Sequence, residues 1–187
     1  MKRAAWRAAM AGVRPADLVF VDESGANIRL TRAYARAPKR ERAVGRIPRN
    51  HGKATSLVAA LAPDGLRAPS RRLGAFTADR FVAYVEDTLA PALRPGQVVV
   101  LDNLSVHKDR RVRAAVEAAG CRLLFLPPYS PDFSPIELAW SKVKAALRRA
   151  GARAQAALEA AIDQALATVT PQDAAGFFRH CGYSLAQ

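Results

Sequence analysis

Apolar residues of this chain fall into short, dense runs that are rich in β-branched side chains and bounded by turn residues. Runs of about four to eight such residues indicate buried β-strands, above all where proline and glycine stand next to them. Residues 98–101 follow a Pro-Gly turn, and residues 18–21 are a second wholly apolar run. Five strands are therefore predicted, at residues 18–22, 27–31, 53–61, 97–101 and 121–126.

Helices are predicted where apolar residues recur every three or four positions. Trp6, Met10 and Val13 form such a stripe within residues 1–16, and we expect this helix to pack on the domain. Further helices are predicted from Thr77 to before Pro91, over 109–119, from Ser134 to Gly151, over 155–169 and from Pro171 onward. Strands that alternate with helices in this way predict an α/β fold with a mixed sheet.

Three acidic residues stand where a carboxylate can act on something outside the core. Asp22 and Asp102 each follow a predicted buried strand, and open α/β sheets carry their chemistry at strand ends. Glu137 follows a segment, 127–135, that has too many prolines for a helix or a central strand. Carboxylates that meet repel one another unless a cation neutralises them, and hard divalent ions prefer carboxylate oxygens. The pattern therefore predicts a divalent-metal site.

Each of these acids also has a structural explanation. An aspartate at the end of a strand often caps the following turn, and Glu23 is a direct rival to Asp22 for the same role. Ser134 and Glu137 have the spacing of a capping box, in which both side chains bind backbone amides at the start of a helix. The residues by themselves leave these alternatives open.

The segments LVFVDESG, VVVLDNLSVHK and LLFLPPYSPDFSPIELAWSKVK resemble the three blocks of the mariner-type transposases of bacterial insertion sequences, which are DDE superfamily endonucleases. Between Asp102 and Glu137 lie 34 residues (103 through 136), which is the spacing of that family. The resemblance runs from about Leu18 to the C-terminus and includes the segment ARAPKRER. It implies a ribonuclease-H-like fold, with a mixed five-stranded sheet, flanking helices and the first and fourth strands as parallel neighbours.

The same resemblance implies an activity. Asp22, Asp102 and Glu137 would be the catalytic triad and the ligands of Mg²⁺, for which Mn²⁺ can substitute. The reaction would be DNA strand cleavage and strand transfer at insertion-sequence ends. Because the first block reads VDE, the resemblance also favours Asp22 over Glu23.

The resemblance further predicts the domain organisation and the partners. Residues 1–17 are expected to be a lead-in helix and residues 18–187 the catalytic domain, with no N-terminal helix-turn-helix domain for DNA recognition. The expected partners are the DNA of element ends and target, a second copy of the chain, and a separately encoded helix-turn-helix half.

The charge of the chain supports a polyanionic partner. The formal net charge is +13 and the pI is about 10.8, with Lys and Arg spread along the chain. Residues 32–49 are basic and irregular and predict a long loop. The residues expected to contact DNA are His107, Lys108, Lys142, Lys144 and Arg148 near the acids, and Arg36 and Lys39 in the loop.

Cysteine and hydropathy patterns bear on the compartment. Cys121 and Cys181 have no metal-ligand spacing, and their small number favours a reducing compartment. No apolar run approaches the roughly 18 residues of a membrane span, and Arg7 and Arg14 interrupt any signal-peptide core. The expected location is the bacterial cytoplasm, in association with the nucleoid.

Two other functions are compatible with parts of this pattern. The chain could be a non-catalytic DNA-binding relic or regulator derived from a transposase, although the intact triad favours the enzyme. A cellular ribonuclease-H-like nuclease would not explain the segment YSPDFSPIE.

Overall fold

A five-stranded mixed sheet forms the centre of the computed structural model, which describes residues 3–184. The strands are β1 (Leu18–Ala26), β2 (Thr55–Ala62), β3 (Gly65–Leu73), β4 (Val98–Leu101) and β5 (Arg122–Phe125). Their order in the sheet is β3-β2-β1-β4-β5. The pairs β1–β2 and β2–β3 are antiparallel, while β1–β4 and β4–β5 are parallel. The predicted parallel neighbours, the first and fourth strands, are thus confirmed.

Six helices flank the sheet in the described part of the chain. They are α1 (Arg3–Met10), α2 (Ala78–Tyr84), α3 (Arg110–Ala118), α4 (Pro135–Ala150), α5 (Gln155–Ala167) and α6 (Pro171–His180). Each predicted helix is present, with ends that differ by a few residues. The second helix changes to a π-helical turn at Val85–Leu89, which the apolar spacing did not indicate.

The side chains of β1 explain why it lies in the middle of the sheet. Leu18 and Phe20 belong to one core cluster, together with side chains of α4, α5 and α6. Val19 and Val21 point to the opposite face, where α2 and α3 cover them. Successive residues of a strand face opposite sides, so a run that is apolar at every position suits a strand covered on both faces. The apolar run at residues 18–21 therefore correctly predicted a buried strand.

Two strand predictions were wrong. Residues 27–31 form a turn and a loop, because β1 continues through Ser24 and Gly25 as far as Ala26, where the turn was expected. Those added residues pair with β2, Ser24 with Leu57 and Gly25 with Ser56. The sheet also contains β3, which the sequence pattern did not predict. From Pro69 to Leu73 this edge strand alternates exposed with partly buried residues, and with three arginines and a proline it has no apolar run.

Residues 27–54 connect β1 to β2 as an irregular, almost wholly exposed segment. It contains nine lysines and arginines and a single acidic residue, Glu41. The predicted long basic loop is thus present. Among the described residues, no helix is long and apolar enough to cross a membrane.

Candidate active site

Asp22 and Asp102 meet at one edge of the sheet because their strands are parallel neighbours in register. Phe20 of β1 pairs with Val100 of β4. Two residues further along the same directions, Asp22 of β1 lies opposite Asp102, which directly follows β4. β4 ends at Leu101, whereas Asp22 lies in the middle of β1 and not at its end as predicted. On its other side Asp22 pairs with Ala59 of β2. The early end of β4 therefore opens the sheet next to Asp22 and leaves space for a ligand.

Glu137 reaches the same place from the first turn of α4. The chain passes from β5 through Pro127, Pro128 and Pro131, and α4 begins at Pro135. Ser134 is the N-cap residue, but its side chain makes no capping hydrogen bond, so the predicted capping box is absent. Within the described residues, the exposed Glu137 carboxylate has no hydrogen-bond or ion-pair partner. Its carboxylate is available for a ligand.

A cleft of about 440 Å³ contains all three carboxylates in its wall. Its remaining wall consists of Val21 of β1 and the loops that follow β4 and β5. The lining residues include Asp22, Asp102, Asn103, Leu104, Pro127, Pro128, Tyr129, Ser130 and Glu137. Three acids from three separate elements thus converge on one depression at the edge of the sheet.

Asp22 is in an unfavourable electrostatic position within this cleft. Burial and the negative charge of Glu137 raise its pKa from an ordinary 3.8 to about 7, and the charges of Glu23 and Asp102 add to the rise. A carboxylate that is this difficult to ionise is relieved by a cation. Asp22 therefore marks where a positive ligand would be stabilised most.

Asp102 has the opposite environment, because His107 lies beside it. Burial would raise its pKa, but hydrogen bonds from His107 and from the Leu104 amide, 2.9 Å away, lower the pKa overall. Asp102 is thus held as an anion, whereas Asp22 is not. Removal of the negative charge would therefore relieve a repulsion at Asp22 and not at Asp102.

His107 connects Asp102 to Glu23 in a buried chain of hydrogen bonds. Its Nδ1–H donates to Asp102 Oδ1 at 2.6 Å, and its Nε2–H donates to the Glu23 carboxylate at 2.9 and 3.0 Å. Burial lowers the pKa of His107, but the two carboxylates raise it to about 9. The ring also packs against Phe81, with centroids 4.4 Å apart. His107 is therefore a buried cation that holds Asp102 in one orientation.

This arrangement answers two questions that the residue pattern left open. Glu23 points toward His107, while Asp22 lines the cleft, so the two neighbouring acids have separate roles. His107 was expected to contact DNA, and this prediction was wrong. Its side chain has 0% exposure and both ring nitrogens are occupied, because the helical turn Ser105–Lys108 carries it inward.

Replacing His107 by phenylalanine should lower the free energy of unfolding by about 1–3 kcal/mol, because buried hydrogen-bond acceptors lose their donors. The change keeps a ring against Phe81 but removes both donors, so that Asp102 and Glu23 face each other without a cation. Urea unfolding at pH 7 measures the effect, with His51→Ala, an exposed histidine, expected to stay within about 0.5 kcal/mol of the parent. A His107→Phe protein as stable as the parent would show that the two acids do not require this bridge.

The basic residues predicted near the acids divide into two groups. Lys142 forms an ion pair with Asp173 of α6, which occupies its charge. Lys108 is exposed, Lys144 and Arg148 are partly exposed, and none of these three has an ion-pair partner among the described residues. Lys144 and Arg148 lie on the same side of α4 as Glu137, seven and eleven residues further along. Arg36 and Lys39 are exposed in the loop 27–54.

Two contributors to the site were not predicted from the sequence. Asn103 donates its side-chain amide to the Leu126 carbonyl, which joins the loop after β4 to the end of β5. Arg3 of α1 donates to Ser130 Oγ at 3.0 Å and to Asp132 at 2.9 Å, which ties the N-terminal helix to the proline-rich loop. The polar residue directly after Asp102 was a local signal for the first contact. The second contact spans more than 120 residues and had none.

Comparison with known proteins agrees with this geometry. The DDE superfamily endonuclease family matches residues 17–159. The fold is similar to that of the Mos1 transposase in a paired-end complex with the left transposon end, with TM-score 0.75 and 19% identity over 95% of this chain and 55% of that one. A mariner Mos1 paired-end complex with Mg gives TM-score 0.67 and 19% identity over 95% and 55% of the two chains. The catalytic domain of Mos1 mariner transposase gives 0.62 and 16% over 95% and 82%.

These similarities differ in what they cover. The chain spans about half the length of the transposases in the paired-end complexes and most of the separate catalytic domain. No curated protein matches the chain significantly. The five-stranded mixed sheet with flanking helices is the ribonuclease-H-like fold of those transposases. With the family matched over most of its length, the chain belongs to the DDE superfamily endonucleases.

Proposed function

We propose that this chain is the catalytic domain of a mariner-type transposase, which cleaves DNA strands at the ends of an insertion element and joins them to a target. The observation that carries this proposal is the convergence of Asp22, Asp102 and Glu137 on one cleft. Membership of the endonuclease family and the fold of the mariner catalytic domain support it. Asp22, Asp102 and Glu137 are the proposed catalytic triad.

The chemistry of these side chains fits a divalent metal ion. All three candidate ligands are carboxylates, which Mg²⁺ prefers, and Asp22 lies where a cation would relieve repulsion. Among the described residues, no group of three or more acidic, histidine or cysteine side chains is close enough together to hold a metal ion by itself. Mg²⁺ commonly binds through one or two carboxylates and completes its shell with water and substrate phosphates, so an open set of ligands is compatible with it. The mariner complex with Mg supports the same choice of ion, for which Mn²⁺ can substitute.

Asp22, Asp102 and Glu137 would hold such ions, which would supply activation of a water or 3′ hydroxyl and stabilisation of the leaving oxygen in a displacement at phosphorus. The side chains of this protein prepare the cleft for that reaction. His107 holds Asp102 ionised and oriented. Asp22 lies near the negative charges of Glu137, Glu23 and Asp102. Asn103 holds the loop after β4 against the end of β5, so the walls of the cleft keep their spacing.

DNA is the proposed substrate and partner. The net charge of +13 suits a polyanion. Lys144 and Arg148 lie in the helix that carries Glu137, Lys108 lies six residues after Asp102, and none of the three has an ion-pair partner in the part of the chain that the structure describes. Contacts of this kind position a duplex without reading its sequence. Arg36 and Lys39 extend the basic surface into the loop 27–54. A second copy of the chain and a separately encoded helix-turn-helix half remain proposed partners, and the bacterial nucleoid the proposed location.

The proposal is tested by incubating the purified chain with supercoiled plasmid and Mg²⁺ or Mn²⁺. We expect nicked circles that are absent when a chelator is added, with the helix-turn-helix half supplied in trans if turnover requires it. DNA binding without any metal-dependent nicking would reject the enzyme and support the non-catalytic DNA-binding alternative. The absence of both activities would reject the proposal entirely.

Affinity for duplex DNA should fall steeply with salt, because bound lysines and arginines release counterions from the phosphates. If about six phosphates are neutralised, binding should weaken on the order of 10³-fold between 50 and 200 mM salt. Fluorescence anisotropy with a labelled duplex measures this dependence.

The slope of that salt dependence also identifies the surface. The double variant Lys144→Gln, Arg148→Gln should reduce the slope by about two. The control is Arg113→Gln on α3, whose charge already pairs with Glu117 at 3.3 Å, and it should leave the slope unchanged. An unchanged slope in the double variant would place the DNA on another face of the protein.

A further inference from the structure

Tyr129 is an exposed aromatic side chain at the wall of the acidic cleft. Its relative exposure is 101%, in a proline-rich loop in which Pro127 and Ser130 are buried and Pro128 and Pro131 are exposed. Its backbone has φ +51, a left-handed conformation that a bulky residue rarely adopts. Both features are unfavourable for an isolated protein. Strained residues of this kind tend to be found at binding and catalytic sites.

Hydrogen bonds on both sides of Tyr129 hold the backbone of its loop in place. Ser130 is buried, and its hydroxyl donates to the Pro128 carbonyl at 3.1 Å, which bridges the two neighbours of Tyr129. Arg3 donates to the same Ser130 hydroxyl at 3.0 Å and holds the loop from outside. The tyrosine is thus directed outward by a fixed backbone. A side chain presented in this way loses little freedom when a ligand binds.

Leu104 gives the cleft a second apolar side chain. It follows Asp102 in the loop after β4, is 51% exposed and lines the same cleft as Tyr129. The cleft therefore has an acidic part, formed by the three carboxylates, and an apolar part, formed by Leu104 and Tyr129. The acids suit metal ions and a phosphate, and the apolar part suits a flat group attached close to that phosphate.

We propose that Tyr129 is a stacking platform for a nucleobase next to the reacting phosphate, with Leu104 as a further apolar contact. The inference rests on the proposed function, since it assumes that the cleft receives DNA. Aromatic rings stack on bases of any sequence because every base has a π-face. A base inside a duplex already stacks on both sides. The ligand is therefore a terminal or unpaired base at a DNA end.

The test compares labelled DNA with a forked end of two unpaired nucleotides and the same duplex with a blunt end. The parent protein should bind the forked end more tightly. Tyr129→Gly should lose about 5- to 160-fold in affinity for the forked end, which is the range for one base stacked on an aromatic ring. Tyr129→Trp should restore it. Glycine accepts φ +51 without strain, so the melting temperature of the glycine variant should be nearly unchanged.

The control is Tyr34→Ala, since Tyr34 is also exposed, at 91%, but lies in the loop 27–54 and not in the cleft wall. This variant should keep the preference for the forked end. In addition, 5-iodouracil placed in the unpaired end should cross-link to Tyr129 on irradiation. The same label ten base pairs inside the duplex should not cross-link there.

The two proposals fail in different ways. If Tyr129→Gly binds both DNAs as the parent does, while salt-dependent binding and nicking persist, the stacking inference is wrong and the proposed function stands. A glycine variant that loses blunt and forked ends equally, or that melts at a clearly lower temperature, would also overturn it, because Tyr129 would then be structural. If the parent neither binds nor nicks DNA, the proposed function fails and the inference fails with it.

Discussion

Glu137→Gln should reduce metal-dependent nicking on the order of 10³-fold while the protein stays folded. Loss of one group that stabilises charge in a transition state typically costs about two to three orders of magnitude, and a glutamine cannot supply the negative charge of a metal ligand. The exposed Glu137 side chain makes no hydrogen bond or ion pair among the described residues, and its negative charge raises the pKa of Asp22, so the free energy of unfolding should not fall by more than about 0.5 kcal/mol. Plasmid nicking and urea unfolding measure the two quantities.

The competing explanation, that Glu137 serves to cap α4, makes a different forecast. A capping role would leave nicking intact in Glu137→Gln and would make Ser134→Ala cost about 1 kcal/mol. We expect almost no cost at Ser134, whose side chain makes no capping hydrogen bond. Thr170→Ala is the matched control, since Thr170 and Asp173 form a complete capping box at α6, and it should cost about 1 kcal/mol. An active Glu137→Gln protein would remove Glu137 from the triad.

Asp22→Asn should make the metal-free protein more stable and at the same time insensitive to metal. A rise in the pKa of Asp22 from 3.8 to about 7 corresponds to a destabilisation on the order of 4 kcal/mol at pH 8, which is an upper limit for the gain. In the parent, Mg²⁺ should raise the melting temperature because it binds only the folded state. In the variant this increase should disappear. Thermal melts with a chelator and with Mg²⁺ give both results.

The stability of the folded protein should also depend on pH, and the raised pKa of Asp22 determines the direction of this dependence. Between about pH 4 and 7 the folded state keeps a proton on Asp22 that the unfolded state has lost, so stability decreases as the pH rises. This is opposite to the usual behaviour of an aspartate. His107 acts in the same direction in a higher window, because its stabilising charge is complete below about 6.5 and lost as the pH passes 9. Asp22→Asn should remove the slope of the lower window alone.

The matched control for Asp22→Asn is Asp87→Asn, at an exposed aspartate in the π-helical turn Val85–Leu89 that follows α2. Its stability should stay within about 0.5 kcal/mol of the parent at every pH. If Asp22→Asn instead destabilises the metal-free protein, the carboxylate of Asp22 has a structural partner and the metal site lies elsewhere.

Sequence periodicity predicted the elements that bury their own apolar residues. The runs before Asp22 and Asp102 are strands with both faces covered, and the stripe of Ile136, Trp140, Val143 and Leu147 is the buried side of α4. In these elements the spacing of apolar side chains is itself the cause of the structure, since it determines which faces leave water. The prediction failed at β3 and at residues 27–31. In both segments exposed residues are interspersed with partly buried ones, and pairing with a neighbouring strand decides whether a strand forms.

The acidic residues of the site were also identified from the sequence, through strand ends, spacing and family resemblance. By itself the sequence determined that Asp22, Asp102 and Glu137 are present, and that two of them follow apolar runs. Only the tertiary structure decided where they lie relative to one another. The parallel pairing of β1 with β4 brings Asp22 beside Asp102, and the inward turn of His107 separates Glu23 from the cleft. These outcomes depend on contacts between residues about 80 positions apart. They could not be predicted from the sequence, because a local pattern of polar and apolar residues does not indicate which distant charged residues will be buried together.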